Sequence, residues 1–109
     1  MMTEPNGNDY LSVITADDGS IVVTGDVDIG GGPVLEAALH QRGNDHRLIL
    51  DLGGVSFMDS SGLRNLLTAS RRAREHGADV VLRNVGPLVW RLLEITGTAE
   101  QFAVESRRA

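Results

Sequence analysis

Two short stretches of unbroken apolar sequence, Leu48-Ile49-Leu50 and Val80-Val81-Leu82, each closed in by charged residues, constrain this chain more than any other feature. Runs of this length, bounded by Arg47 and Asp51 and by Asp79 and Arg83, read as central strands buried on both faces. Between them the period changes. From Gly62 onward Leu63, Leu66, Leu67, Ser70 and Ala73 recur at helical spacing, Arg64, Asn65, Arg71, Arg72 and Arg74 take the other side, and Gly77 stops the pattern. Strand, helix and strand in this order make a right-handed β-α-β crossover between parallel strands. A sheet of such strands calls for helices on either side.

The flanking sequence extends the same plan. Leu11-Ser12-Val13-Ile14 and Ile21-Val22-Val23-Thr24, separated by the turn-rich Ala16 to Ser20, predict an N-terminal β-hairpin. Gly25 to Gly32 reads as a loop. Pro33 suits the first turn of a helix running to about Gln41, with Val34, Ala37, Ala38 and Gln41 as its stripe and Gly43-Asn44-Asp45 as its end. Pro87 opens another helix, with Leu88, Val89, Leu92, Leu93 and Thr96 on its apolar face and Gly97 closing it. Gln101 to Val104 is strand-like, and Glu105 to Ala109 is a polar, frayed end. The expected fold is α/β: one domain from residue 10 to 109, with a mixed, mostly parallel sheet of four to five strands flanked by helices, preceded by a flexible tail at residues 1–9.

Composition narrows the function. A net charge of -5 argues against a nucleic-acid partner, because phosphate-backbone binding depends on clustered Lys and Arg. With no cysteine, disulfides, thiol nucleophiles and cysteine-ligated zinc are excluded, which fits a cytoplasmic protein. The apolar runs fall far short of the roughly 18 residues of a membrane span, so no direct membrane insertion is expected. The first residues are acidic and turn-forming rather than basic then apolar, unlike a secretion signal. His40, His46 and His76 lack metal-ligand spacing, and Gly30-Gly31-Gly32 lacks the Lys and Ser/Thr of a phosphate-cradling loop. No cofactor is expected.

Chemistry concentrates in Val55 to Leu63, between the strand ending near Asp51 and the helix beginning near Ser61. A helix start leaves about four N–H groups without internal partners and carries partial positive charge, so it attracts cap side chains and tolerates anions. Asp59, Ser60 and Ser61 are all cap-competent, and only one side chain sits at the cap. That leaves at least one serine hydroxyl for solvent or a partner. A phosphate there adds roughly -1.5 to -2 charge beside Asp59. Such a charge switches docking without unfolding the domain, because the helix start accommodates it and a surface shaped for a neutral hydroxyl does not. A plain capping serine is the competing reading, and on residue statistics alone the commoner one.

Phe57-Met58-Asp59-Ser60-Ser61-Gly62-Leu63 resembles the signature of the anti-sigma factor antagonists, the STAS-domain proteins of sporulation and stress partner switches. Three further stretches share the resemblance: Gly25-Asp26-Val27-Asp28, Pro87 to Leu93, and Thr96-Gly97 through Phe102. It spans roughly Leu11 to Val104 and implies a single STAS domain without catalytic activity. It implies that Ser60 is phosphorylated by an anti-sigma factor that is also a serine kinase, and that a serine phosphatase reverses this. The unphosphorylated form binds the anti-sigma factor and releases the sigma factor. The implied docking surface is Asp26, Asp28, Asp59, Ser60, Ser61, Gly62 and Arg64, with Asp26 and Asp28 near Ser60, Asp59 biasing the serine, and the Ser61 hydroxyl spent on the helix start. The chain departs from the family at Gly30-Gly31-Gly32-Pro33, at Arg64 where a glycine is usual, and in a C-terminus too short for a closing helix.

Two other functions compete. A serine hydrolase would make Ser60 a nucleophile, but neither Ser60 nor Ser61 lies in Gly-x-Ser-x-Gly, and no histidine has a sequence reason to reach them. Single STAS domains also resemble constitutive interaction subunits of lipid-transport and other membrane-transporter complexes. The arginines at the end of the central helix read as a solvated face offsetting the dipole, and Trp90 as a peripheral ring packed over its neighbours.

Overall fold

The spine of the molecule is a strand longer than the sequence pattern predicts. In the computed structural model, which describes residues 11–41 and 47–106, β3 runs from Arg47 to Met58 rather than stopping near Asp51. Around it lie β1 (Leu11–Thr15), β2 (Ile21–Val27), α1 (Gly32–Gln41), α2 (Ser60–Glu75), β4 (Asp79–Arg83), α3 (Pro87–Thr96) and β5 (Ala103–Val104). Short 3-10 turns at Ile29–Gly31 and Ala99–Gln101 lead into α1 and β5. The expected tail at residues 1–9, the stop at Gly43-Asn44-Asp45 and the last three residues lie outside the described residues.

The sheet order is β1-β2-β3-β4-β5, parallel throughout except for the antiparallel β1–β2 hairpin. The expected α/β fold with an N-terminal hairpin is present. The expected loop at Gly25 to Gly32 is not one. Gly25, Asp26 and Val27 complete β2, because β3 continues alongside with Gly25 opposite Val55 and Val27 opposite Met58, across two register shifts. β4 pairs only the first half of β3, from Arg47 opposite Asp79 to Asp51 opposite Arg83. The last turns of β2 and β3 therefore project past the rest of the sheet.

The core sits on one face of the sheet. Leu48, Leu50 and Leu52 of β3, Val80 and Leu82 of β4, and Ile21, Val23 and Val27 of β2 form one cluster with residues of all three helices. The other face carries Ile14, Val22, Ile49, Asp51, Val81 and Arg83, of which Val81 alone is buried. Helices on both faces, as the apolar runs imply, are thus not what forms. Parallel crossovers are right-handed almost without exception, and here each steps one strand in the same direction, which returns every helix to the same side. Burying a Leu or Val side chain contributes about 1.5–3 kcal/mol, so this single layer carries most of the stabilisation.

The helices rotate from the expected stripes. α1 buries Leu35 and Leu39 while Ala37 is exposed, since large side chains outbid a methyl group for the core. α3 buries Val89 and Leu93, but Leu88 and Thr96 are exposed and Trp90 packs partly against the core. α2 follows expectation, burying Leu63, Leu66, Ala69 and Ser70. The Ser70 hydroxyl is fully buried with no hydrogen-bond partner among the described residues. Gly77 (φ 92°) ends α2 in the left-handed region, where Ala78 N–H donates to Ala73 O (3.1 Å) and Gly77 N–H to Arg74 O (2.9 Å). The C-terminal segment is not frayed at its start. Glu105 N–H donates to Leu82 O (2.7 Å), Val85 N–H donates to Ser106 O (3.1 Å), and the Glu105 carboxylate pairs with Arg83.

Candidate functional site

The projecting ends of β2 and β3 and the first turn of α2 form the site. β3 ends at Met58, Asp59 turns the chain, and Ser60 is the first helical residue. Asp59 has extended backbone angles, its carbonyl accepts from Leu63 N–H (2.9 Å), and its Oδ1 accepts from Gly62 N–H (2.8 Å). That is the N-cap, and it assigns the three cap-competent residues. The cap is the carboxylate, not the Ser61 hydroxyl that the resemblance assigns to the helix start. Ser60 is exposed and Ser61 half-buried. Neither serine hydroxyl has a hydrogen bond among the described residues, and Ser60 is the more exposed of the two.

Gly62 explains why the helix begins here. A Cβ at this position would overlap the carbonyl oxygen of Val27, so α2 and the end of β2 touch backbone to backbone. The residue is buried, which removes it from any docking surface and makes its role one of close approach. Through that contact the end of β2 lies against the start of α2.

Asp26 and Asp28 arrive by the same route. The β2–β3 pairing sets Asp26 opposite Phe57, and Ser56 Oγ donates to Asp26 Oδ1 (3.1 Å). Asp28 caps the 3-10 turn, its Oδ1 accepting from Gly30 N–H (3.0 Å), while its carbonyl accepts from Asn65 Nδ2 (3.1 Å) on α2. Both aspartates are partly exposed. The glycine run that departs from the family pattern forms this turn and the start of α1. Gly31 packs on Leu11 Cδ2 and Gly32 on the Asn65 amide, each 2.8 Å from where a Cβ would lie.

Three contributors escape the sequence reading. Phe57 is 50% exposed beside Asp26, an unusual position for a large apolar side chain. Ser56 holds the Asp26 carboxylate. Asn65, read as part of the solvated face, ties α2 to the acidic turn. Only Asn65 had a usable signal: an amide amid arginines, one turn beyond Ser61, where a helix side can meet a loop. Arg64 is exposed on the same helix turn. His76 is also exposed, at the far end of α2, with Nδ1 2.8 Å from Arg72 O.

Among the described residues no group of three or more His, Cys, Asp or Glu side chains is arranged to hold a metal ion. The arrangement offers a solvent-facing hydroxyl at a helix start, flanked by three carboxylates already engaged with neutral donors and by an exposed aromatic ring. Such a surface can take up or release an anion and can present two chemically distinct faces to a partner.

Comparison with known proteins agrees with the motif resemblance. The family model described as Mlab, STAS domain matches residues 12–104. The anti-sigma-B factor antagonist of Listeria monocytogenes is 32% identical over 88 residues, covering 79% of this chain and 77% of that protein. Its namesake in Bacillus subtilis is 28% identical over 88 residues, covering 78% and 79%. The crystal structure of an anti-sigma factor antagonist from Mycobacterium paratuberculosis superposes with a TM-score of 0.65 at 32% identity, covering 88% of this chain and 86% of that one. A family match over nearly the whole sheet, joined to these relatives, places the chain in the STAS-domain family of anti-sigma factor antagonists.

Proposed function

We propose that this chain is a non-catalytic, cytoplasmic anti-sigma factor antagonist that switches partners through Ser60. The unphosphorylated form binds an anti-sigma factor and releases the sigma factor. The anti-sigma factor, acting as a serine kinase, transfers the γ-phosphoryl group of ATP to Ser60 Oγ, with loss of the hydroxyl proton and departure of ADP. A serine phosphatase returns the hydroxyl by hydrolysis. The observation that carries this reading is the exposure of Ser60 at the first position of α2 with the cap supplied by Asp59. A capping serine would have its oxygen committed; this one does not.

The physics of the switch follows. A phosphate brings roughly -1.5 to -2 charge, and the unsatisfied N–H groups of a helix start stabilise it. The domain stays folded. A partner that docks across Asp26, Asp28, Asp59, Ser61 and Arg64 meets new charge beside Asp59 and loses a neutral hydroxyl, and both changes disfavour contact.

Incubation with the cognate anti-sigma kinase and ATP, followed by mass spectrometry, tests the assignment. Label on Ser60, binding retained in Ser60→Ala, and binding weakened at least about tenfold (about 1.4 kcal/mol) in Ser60→Glu are the expected results. Label elsewhere, or unchanged binding by Ser60→Glu, rejects it. The constitutive transporter-subunit reading predicts no phosphate on Ser60 under any growth condition together with stable capture of a membrane-transport ATPase.

A further inference from the structure

The positive end of a helix favours negative charge, and in α2 that charge is the N-cap carboxylate of Asp59; the first turn itself holds no acidic residue, and Arg64 follows it. Of the other arginines of this helix, Arg72 pairs with Glu36 (2.8 Å) and Arg74 donates to Gln101 O (3.0 Å), while Arg71, two turns beyond Arg64, is exposed without a partner among the described residues. Arg64 is exposed and has neither a hydrogen bond nor an ion pair among the described residues. Arg64 is therefore a cation that the described residues leave without a counter-charge.

The helix geometry says what supplies one. Residues four apart lie one above the other on a helix, and each Cα–Cβ bond tilts toward the N-terminus, so a long side chain at position 64 reaches back over position 60. Ser60 and Arg64 are both exposed on that side. We infer that Arg64 is the intramolecular partner of the phosphate on Ser60, folding back along its own helix to bind it. This rests on the Ser60 reading above and deepens it. The planar guanidinium takes two phosphate oxygens at once. Phosphorylation then changes two groups together: the hydroxyl becomes an anion, and the arginine is withdrawn from the docking surface onto it. Asp59 on the cap, Asp26 at the end of β2 and Asp28 on the neighbouring turn act in the opposite sense, repelling the phosphate.

The test uses the full chain with phosphoserine installed at position 60 during synthesis, so it needs no kinase. Phosphorus NMR follows the second ionisation of the phosphate with pH at low salt. Wild type should titrate about 0.3 pH unit below Arg64→Gln, Arg64→Lys should fall between them, and the difference should shrink in molar salt. Arg71→Gln, two turns further along, should match wild type. Identical titration of wild type and Arg64→Gln overturns the inference, as does an equal effect from Arg71→Gln. Failure of any kinase to label Ser60 sinks the switch itself but leaves this measurement unaffected, so the two failures are told apart.

Discussion

Two polar clusters lie on this sheet, and they treat charge in opposite ways. Where the hairpin turn meets the ends of β4 and β5, Arg83 binds two carboxylates at once, Asp18 at 3.1 Å and Glu105 at 2.9 Å. Asn84 adds bonds to Asp51 Oδ2 (3.1 Å) and to the Ser106 hydroxyl, and Ser20 Oγ donates to Asp18 Oδ1. At the start of α2 the carboxylates of Asp26 and Asp59 instead accept from a hydroxyl and a backbone N–H, while Arg64 and the Ser60 hydroxyl face solvent. The first cluster ties the hairpin and the C-terminal strand across β3. The second keeps its charge available. Acids matched to a cation hold a fold together, and acids fixed only by neutral donors present a negative surface to whatever docks.

That contrast breaks most severely at Gly62. Gly62→Ala should cost about 3 kcal/mol or more in denaturant unfolding, because the Val27 carbonyl cannot move without dislodging the end of β2. A loss below about 1 kcal/mol would mean that α2 and β2 do not meet as described. Next comes the cap. Asp59→Ala should lose about 1 kcal/mol, whereas Asp59→Asn, an equally good cap without the charge, should keep stability and alter only partner binding. Equal destabilisation by both variants would mean that the charge itself stabilises the helix start instead of being kept for a partner.

The paired cluster gives a smaller, screened effect. Arg83→Gln should destabilise slightly, less so as salt rises, and leave anti-sigma binding unchanged. The same cluster predicts a pH signature. Asp18 is lowered from 3.8 to about 2, first by the Ser20 hydroxyl, then by Ser20 N–H, then by Arg83. A carboxyl depressed in the folded state stabilises fully above its unfolded value and loses that contribution as pH falls through the folded one. Its share is therefore complete above about pH 4 and fades toward pH 2, and Asp18→Asn should flatten that part of the acid-stability curve. Smallest of all, Ser60→Ala should change unfolding free energy by no more than about 0.5 kcal/mol, since its hydroxyl supports nothing in the fold. A larger loss would return Ser60 to the capping role.

Much of this was legible before any coordinates. The strand–helix–strand order, the hairpin, the amphipathic face of α2 and its stop at Gly77 are local patterns, and local patterns are written in residue spacing. Ser60, Asp59 and the acidic pair could be named from the motif and its neighbours. Three things could not. The length of β3 was hidden because Gly53, Gly54 and Ser56 weaken the strand signal, and only pairing with β2 holds them extended. The residues α1 and α3 bury depend on where the sheet stands, so Ala37 and Leu88 turn outward although spacing places them inward. Which of three capping residues takes the cap is decided by where the backbone bends, and that bend is set by the contact between Gly62 and Val27.

Residue order by itself determined the class of fold and the segment where chemistry gathers, because both follow from short-range periodicity and from side-chain type. Tertiary structure alone decided that all three helices share one face, that Asp26 lies against Phe57, and that Asp59 rather than Ser61 fills the cap. Those outcomes rest on contacts between residues some thirty positions apart, whose steric fit and hydrogen bonds exist only once the sheet has assembled.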